Sequence, residues 1–276
     1  GCGLTSATNA NNFQELVDTA NQLATSLGWM GQGPGFGMGG NNITLPYTLN
    51  DTFQMIRQLR NSGCEEHILI YDNGSKPSYE HKIEDNNFSY YRNEENIYVN
   101  PAWNDIFDLI QTKYLTLLNN DCFIESNGYF NDIINHMEKN DIILSTCKTK
   151  NIPKYNLLIK YFYKLLFFSY RNKPLLFTDN ARRQGWLMTL NLDIYKSLDY
   201  KIPNYLKLWY GDDWIWSQIM KNNLRYAIYT NRYALHIRSS SSSKFMNIIE
   251  EDIINIEKEG KWFSEVTKEM HSKKYV

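Results

Sequence analysis

No stretch of about 18 uncharged apolar residues occurs in this chain of 276 residues, so no membrane-crossing helix is expected from it. Nor does a basic segment lead into an apolar one near the start, and no secretory leader is expected. A basic excess is missing too. Twenty-nine Lys and Arg against 30 Asp and Glu leave a formal net charge of -1, without the electrostatic footprint of a dedicated nucleic-acid binder. Cysteine is scarce: Cys2, Cys64, Cys122 and Cys147 form no C-x-x-C pair, which argues against a zinc site and a disulfide framework. Buried free thiols in a reducing compartment are the expectation, and the chain reads as cytoplasmic. What it has in plenty is apolar material, 42% of residues with 14% aromatic, enough to bury a sizeable core.

The first 40 residues stand apart. They hold no Lys or Arg and only two acids, Glu15 and Asp18. Phe13, Leu16, Val17, Ala20, Leu23, Ala24 and Leu27 recur there at helical spacing, and glycine-rich residues 31–40 follow. This segment is either a docking appendage or sequence foreign to the body. A main domain is expected over 41–243 and a helical extension over 244–276. The body, rich in Lys, Asn, Ile and Tyr, suits an AT-rich genome, viral or bacterial.

Within the body, short apolar strands are expected at 43–45, 67–71, 88–91, 114–118 and 142–146. Helices are expected at 51–59, 103–111, 128–139 and 245–259. Strands alternating with helices predict an α/β fold with a mostly parallel sheet. The five-serine run 239–243 reads as a loop. Residues 155–177 interleave Leu, Tyr and Phe with Lys160, Lys164, Arg171 and Lys173. That pattern suits either a helix packed on the sheet or one lying at a membrane face.

In open α/β sheets ligands gather at the carboxyl ends of strands, which singles out certain acids. Asp72 follows the strand 67–71, Asp121 follows 114–118, and Asp212-Asp213 sits in the aromatic stretch Trp209-Tyr210-Gly211-Asp212-Asp213-Trp214. Taken singly, Asp72 is also a turn former, Asp121 a helix cap, and the aspartate pair a helix N-terminus favoured by the dipole.

Taken in order, these segments resemble a GT-A-fold glycosyltransferase of the family-2, inverting type, over about Asn42 to His236. The opening strand and loop is Ile43-Thr44-Leu45-Pro46-Tyr47-Thr48-Leu49-Asn50-Asp51, and the second strand with its turn is Ile68-Leu69-Ile70-Tyr71-Asp72-Asn73-Gly74-Ser75. Asn96-Ile97 and Ala102-Trp103-Asn104 are similar to the stretch leading into the next helix. Tyr114 to Asp121 resembles the strand bearing a D-x-D-like metal motif. Gly185-Trp186-Leu187-Met188 resembles the glycine-led acceptor strand. Tyr210-Gly211-Asp212-Asp213-Trp214 resembles the acidic motif holding the base, and Leu235-His236 the strand-end histidine.

The resemblance implies a Rossmann-like GT-A fold, a mixed, mostly parallel sheet flanked by helices. It also implies a nucleotide-diphosphate sugar as donor, with UDP, GDP or dTDP as the nucleotide. The acceptor is a glycan, a lipid-linked molecule or a protein. Asp213 is implied as general base, with Asp212 orienting the acceptor. Thr48, Asp51, Asp72, Asn73, Asn104, Asn119 and Asn120 would line the donor site. Gly185, Trp186, Trp209 and Trp214 would line the acceptor site. Asp121 and His236 would hold Mn²⁺ or Mg²⁺. Asn119 stands where many members carry aspartate, leaving one acid in the metal motif. Arg182 and Arg183 would face the diphosphate or form a solvated patch. Other classes remain open: an inactive sugar-binding scaffold, a nucleotidyltransferase (against which the segment 46–51 lacks Gly and Lys), and a two-carboxylate glycosidase.

Overall fold

Strand β1 (Ile68–Asn73) and strand β2 (Phe88–Asn93) run parallel, pairing Ile68 with Phe88 and onward to Asn73 with Asn93. The computed structural model describes residues 52, 55–60, 63–75, 87–119, 122–124, 128–152, 174–178, 185–237 and 245–263. The expected helix within residues 13–27, the strand 43–45, the serine run and most of 155–177 lie outside the described residues. So do Thr48, Asp51, Asn120, Asp121, Arg182 and Arg183. Residues 52 and 55–60 are helical, as the pattern at 51–59 predicts.

After β1 comes the expected Asp72-Asn73-Gly74-Ser75 turn. Gly74 has φ 75°, and a Cβ there would stand 2.6 Å from Glu95 backbone, so glycine alone fits. Helix α1 (Val99–Leu109) begins four residues earlier than its apolar spacing indicates. Pro101 falls in its first turn, where a missing N–H leaves no helical bond unmade. Then follow β3 (Tyr114–Leu118), β4 (Cys122–Ile124), α2 (Tyr129–Lys139), β5 (Ile142–Ile152) and β6 (Phe177–Thr178). The chain continues through β7 (Leu187–Asn191), α3 (Leu192–Tyr195), α4 (Gly211–Lys221), β8 (Arg225–Ile237) and α5 (Met246–Glu259).

The larger sheet runs β3-β7-β5-β8-β4, with β6 also pairing β8. The α/β class and the mixed sheet flanked by helices hold; β1–β2 and β5–β8 are parallel, and the other four ladders are antiparallel. One cause is the brief link between β3 and β4, too short for a crossover, so β4 returns along β8 in the opposite sense. Asp121 is thus followed by a strand, not by the helix it was a candidate to cap; α2 begins only at Tyr129.

Helices cover both faces of this sheet. Adjacent β8 residues Tyr229 and Ile228 point into different apolar clusters, as strand alternation requires. One cluster takes Tyr129, Ile133 and Met137 of α2, spaced by four. The other takes Phe107 of α1 with Ile215, Trp216 and Ile219 of α4. Eight of the eleven α4 residues are buried, which makes it a core helix rather than an amphipathic one. Ile248, Ile249 and Ile256 of α5 face inward, joined on that buried face by an acid, Asp252. Among the described residues, no helix is long and apolar enough to cross a membrane.

Candidate active site

The ends of β3, β7 and β8 meet at one place. Leu118 pairs with Leu187, and the Asn119 amide donates to Trp186 O at 3.0 Å. Asn119 O in turn accepts from the Cys122 amide at 3.0 Å, fixing both ends of the 119–122 turn. Across the β4–β8 ladder, Cys122 stands opposite His236. The Trp186 indole lies flat on the His236 imidazole, with centroids 4.4 Å apart and planes at 9°. One residue back, Gly185 abuts Asp212: a Cβ built on Gly185 would stand 2.7 Å from Asp212 Cβ and 2.9 Å from its Oδ2. Asn119, Gly185, Trp186, Asp212 and His236, spread over 118 positions of sequence, are thereby brought together.

The aspartate pair opens α4. Tyr210, the N-cap, has φ 64° and ψ 4°, a left-handed turn that redirects the chain into the helix. Both Asp212 and Asp213 lie in the first turn, where the dipole stabilises negative charge. Burial pushes the Tyr210 phenol above its usual pKa, with the charges of Asp213, Asp252 and Glu257 adding to the rise. Gly211 is packed on α1, where any Cβ would overlap the buried Asn100 Oδ1.

At the end of β1, Asp72 is 1% exposed and fully engaged. Its Oδ1 accepts the Ser75 amide, and its Oδ2 accepts the Tyr90 hydroxyl and Arg92 Nη1. Asn73 Nδ2 donates to Asn96 Oδ1 and Tyr98 O, while its Oδ1 accepts the Ile97 amide. Asn73 therefore ties the β1 end to the start of α1. Asn104 makes a two-way pair with Ile202, donating to its carbonyl and accepting from its amide. These three side chains direct their hydrogen bonds to partners inside the fold.

The tryptophans divide. Trp209 is 42% exposed. Trp214 is 8% exposed, packs edge-on against Trp262, and belongs to the core. Two residues after Asp212, helix phase turns its side chain into the core, away from the exposed face that a stacking platform needs.

Two residues absent from the sequence-based set shape the site. Asn100 donates through Nδ2 to Trp209 O, and its amide donates to Lys207 O. Asp252 accepts from three successive amides, those of Lys207, Leu208 and Trp209. A signal for Asp252 was present: it is an acid on the stripe Ile248, Ile249, Ile256.

For a metal, the described residues contain no cluster of three His, Cys, Asp or Glu. His236 does face Cys122, the residue that follows Asp121 in the chain.

A mixed sheet layered by helices, with an acidic helix start beside the strand ends, is the architecture of a GT-A-type α/β fold. The family described as glycosyl transferase family 2 matches residues 48–198, more than half of the chain, and the chain belongs to it. Among solved structures, the chain is similar to GalNAc-T7 with UDP, GalNAc and Mn²⁺ at 12% identity and a TM-score of 0.51. That match covers 70% of this chain and 41% of that one. It is also similar to residues 1–349 of S. aureus TarS in complex with UDP-GlcNAc, at 14% identity and a TM-score of 0.48, covering 75% of this chain and 64% of that one. The chain thus spans less than two thirds of the length of either neighbour. No curated protein matches its sequence.

Proposed function

We propose that this chain is an inverting glycosyltransferase that moves a sugar from a nucleotide-diphosphate donor to a hydroxyl of a glycan, lipid-linked or protein acceptor. The observation that carries this reading is the meeting of Asn119, Gly185, Trp186 and His236 with Asp212 at the strand ends. Family membership supports it, and so does the GT-A-type neighbour crystallised with UDP, GalNAc and Mn²⁺.

In the proposed reaction the acceptor oxygen attacks the anomeric carbon and the bond to the diphosphate oxygen breaks, releasing the nucleoside diphosphate. The acceptor proton passes to Asp213, one position beyond the aspartate pressed on Gly185. It lies in the first turn of α4, where the helix dipole favours a carboxylate. Asp212, held by Gly185, orients the acceptor hydroxyl. Trp209 offers an aromatic face on which a sugar ring can stack. Asp121 and His236 would hold Mn²⁺, which supplies neutralisation of the charge developing on the diphosphate. Thr48, Asp51, Asn119 and Asn120 would border the nucleotide, while Asp72, Asn73 and Asn104 act by fixing its walls.

The test is a thermal-shift screen of nucleoside diphosphates and nucleotide sugars with and without Mn²⁺, followed by assay for nucleotide release. A metal-dependent rise with one nucleotide, and turnover of its sugar, is the expected result. No shift and no turnover with any donor would sink the transferase reading in favour of a non-catalytic scaffold.

A further inference from the structure

We propose that Asp252, on the C-terminal helix and beyond the matched family segment, is the positioning residue of the acidic turn. The active site is then incomplete without α5. The inference rests on the glycosyl-transfer reading and extends it to a residue and an element that reading does not use.

Residues 207–209 lead directly into the Tyr210 turn and Asp212-Asp213. Such a segment has no sheet or helix to satisfy its backbone. Asp252, 0% exposed, accepts the Lys207, Leu208 and Trp209 amides at 2.8, 2.7 and 2.7 Å. From the other side, Asn100 donates its amide to Lys207 O at 3.0 Å and its Nδ2 to Trp209 O at 2.9 Å. Five of the six backbone polar groups over three residues are therefore held by two buried residues, four by the Asp252 and Asn100 side chains and one by the Asn100 amide. Three successive N–H groups converging on one point form an anion-binding nest, and only a carboxylate has lone pairs enough for all three. A core helix that merely covered the sheet would carry a fourth apolar residue at position 252, in line with Ile248, Ile249 and Ile256. The acid there is explained by the loop it grips.

The consequence is catalytic geometry at one remove. Asp252 touches neither substrate nor reacting atoms. It fixes the backbone that delivers Asp213 to the acceptor proton and leaves Asp212 pressed on Gly185. Such misplacement costs on the order of 100-fold in rate with little effect on ground-state binding.

The experiment compares wild type with Asp252→Asn, which keeps the shape but turns an N–H₂ towards the amides. Ile256→Ala serves as control, removing packing from the same face without touching residues 207–209. Expected for Asp252→Asn, well below its unfolding temperature, are about a 10- to 100-fold lower kcat, donor KM within a few fold, and faster amide exchange over 205–213 only. Ile256→Ala should lose stability yet keep kcat. Unchanged exchange over 205–213, unchanged kcat, or an equal kcat loss in Ile256→Ala would each overturn the proposal. If Asp252→Asn does not fold, Asn100→Asp, isosteric but without the donor to Trp209 O, takes its place with the same expectations. A wild-type chain that turns over no donor would overturn the transferase reading and the catalytic half of this inference, while amide exchange would still decide the clamp.

Discussion

Gly185 and Asp212 are in direct contact, the Cα of one against the side chain of the other, although they enter from different elements. Gly185 precedes β7 and Asp212 lies in the first turn of α4. The contact couples the sheet edge to the acidic turn and leaves no room for a methyl group. Gly185→Ala should push the carboxylate aside, because the new Cβ meets the Asp212 side chain from its Cβ to its Oδ2, so rotating the tip alone does not relieve the contact. A loss of about 1–3 kcal/mol in stability is expected from overpacking. Turnover should fall at least about tenfold, a misplacement effect, with nucleotide affinity retained. Denaturant unfolding with steady-state kinetics checks both, and a fully active Gly185→Ala would show that Asp212 needs no fixed position.

Asp213 bears the proton in the proposed reaction. Asp213→Asn keeps the shape of the first turn of α4 and removes only the basic oxygen. Transfer should drop by about 10²–10⁴-fold, the usual worth of a general base, while donor affinity stays within a few fold. Calorimetric titration of the nucleotide beside a product assay separates the two. Normal turnover would transfer the role to another group.

Much of this arrangement was legible in the residues. β3 falls at 114–118, as its apolar run indicates, because Asn119 ends the run abruptly. Asn119, Gly185, Trp186, Asp212 and His236, named from separate stretches of sequence, lie at neighbouring strand and helix ends. What was illegible is phase and partnership. Trp209, Trp214 and Trp216 look alike in sequence, yet Trp209 precedes the α4 turn and faces solvent while the helix carries the other two inward. Asn104 resembles a ligand-facing asparagine until Ile202, 98 residues away, takes both ends of its amide. Long-range pairings of this kind leave no local pattern.

Asp72 supports the turn after β1 with three donors on a buried carboxylate. In Asp72→Asn the Arg92 guanidinium loses its counter-charge and one donor is left facing an N–H₂ group. Arg92 keeps 29% of its side chain in solvent, which lowers the cost. A loss of about 2–3 kcal/mol is expected, the worth of a hydrogen bond to a charged group. Nucleotide affinity should change only through the loosened wall, within about an order of magnitude. Urea unfolding and nucleotide titration provide the comparison. A large affinity loss at unchanged stability would instead make Asp72 a direct ligand.

His136 gives a pH signature away from the site. Burial holds its imidazole below the usual 6.5, with Lys139 and Arg225 adding to the depression. Between that lowered value and about 6.5 the unfolded chain takes up a proton that the folded chain refuses. Stability is therefore complete above pH 6.5 and is lost as the pH falls through that value towards the folded pKa. His136→Gln should flatten this limb between pH 7 and 5, as followed by melting temperature at fixed salt. An unaltered slope would place the pH dependence elsewhere.

Trp186 and His236 offer a test of the metal assignment that does not depend on turnover. The indole is stacked flat on the imidazole and fixes the plane of the ring, and with it the direction of its nitrogens. Stacking of this kind is worth about 0.5–1.5 kcal/mol. If His236 helps hold Mn²⁺, Trp186→Ala should weaken Mn²⁺-dependent nucleotide binding by about 10–100-fold, the scale of losing an outer partner to a ligand. His236→Ala should weaken it at least as much, and both should leave metal-free nucleotide binding in place. Mn²⁺ titration by electron paramagnetic resonance, with nucleotide present, reads this directly. Identical titrations for wild type and His236→Ala would remove the histidine from the metal site and reduce the Trp186 stack to packing alone.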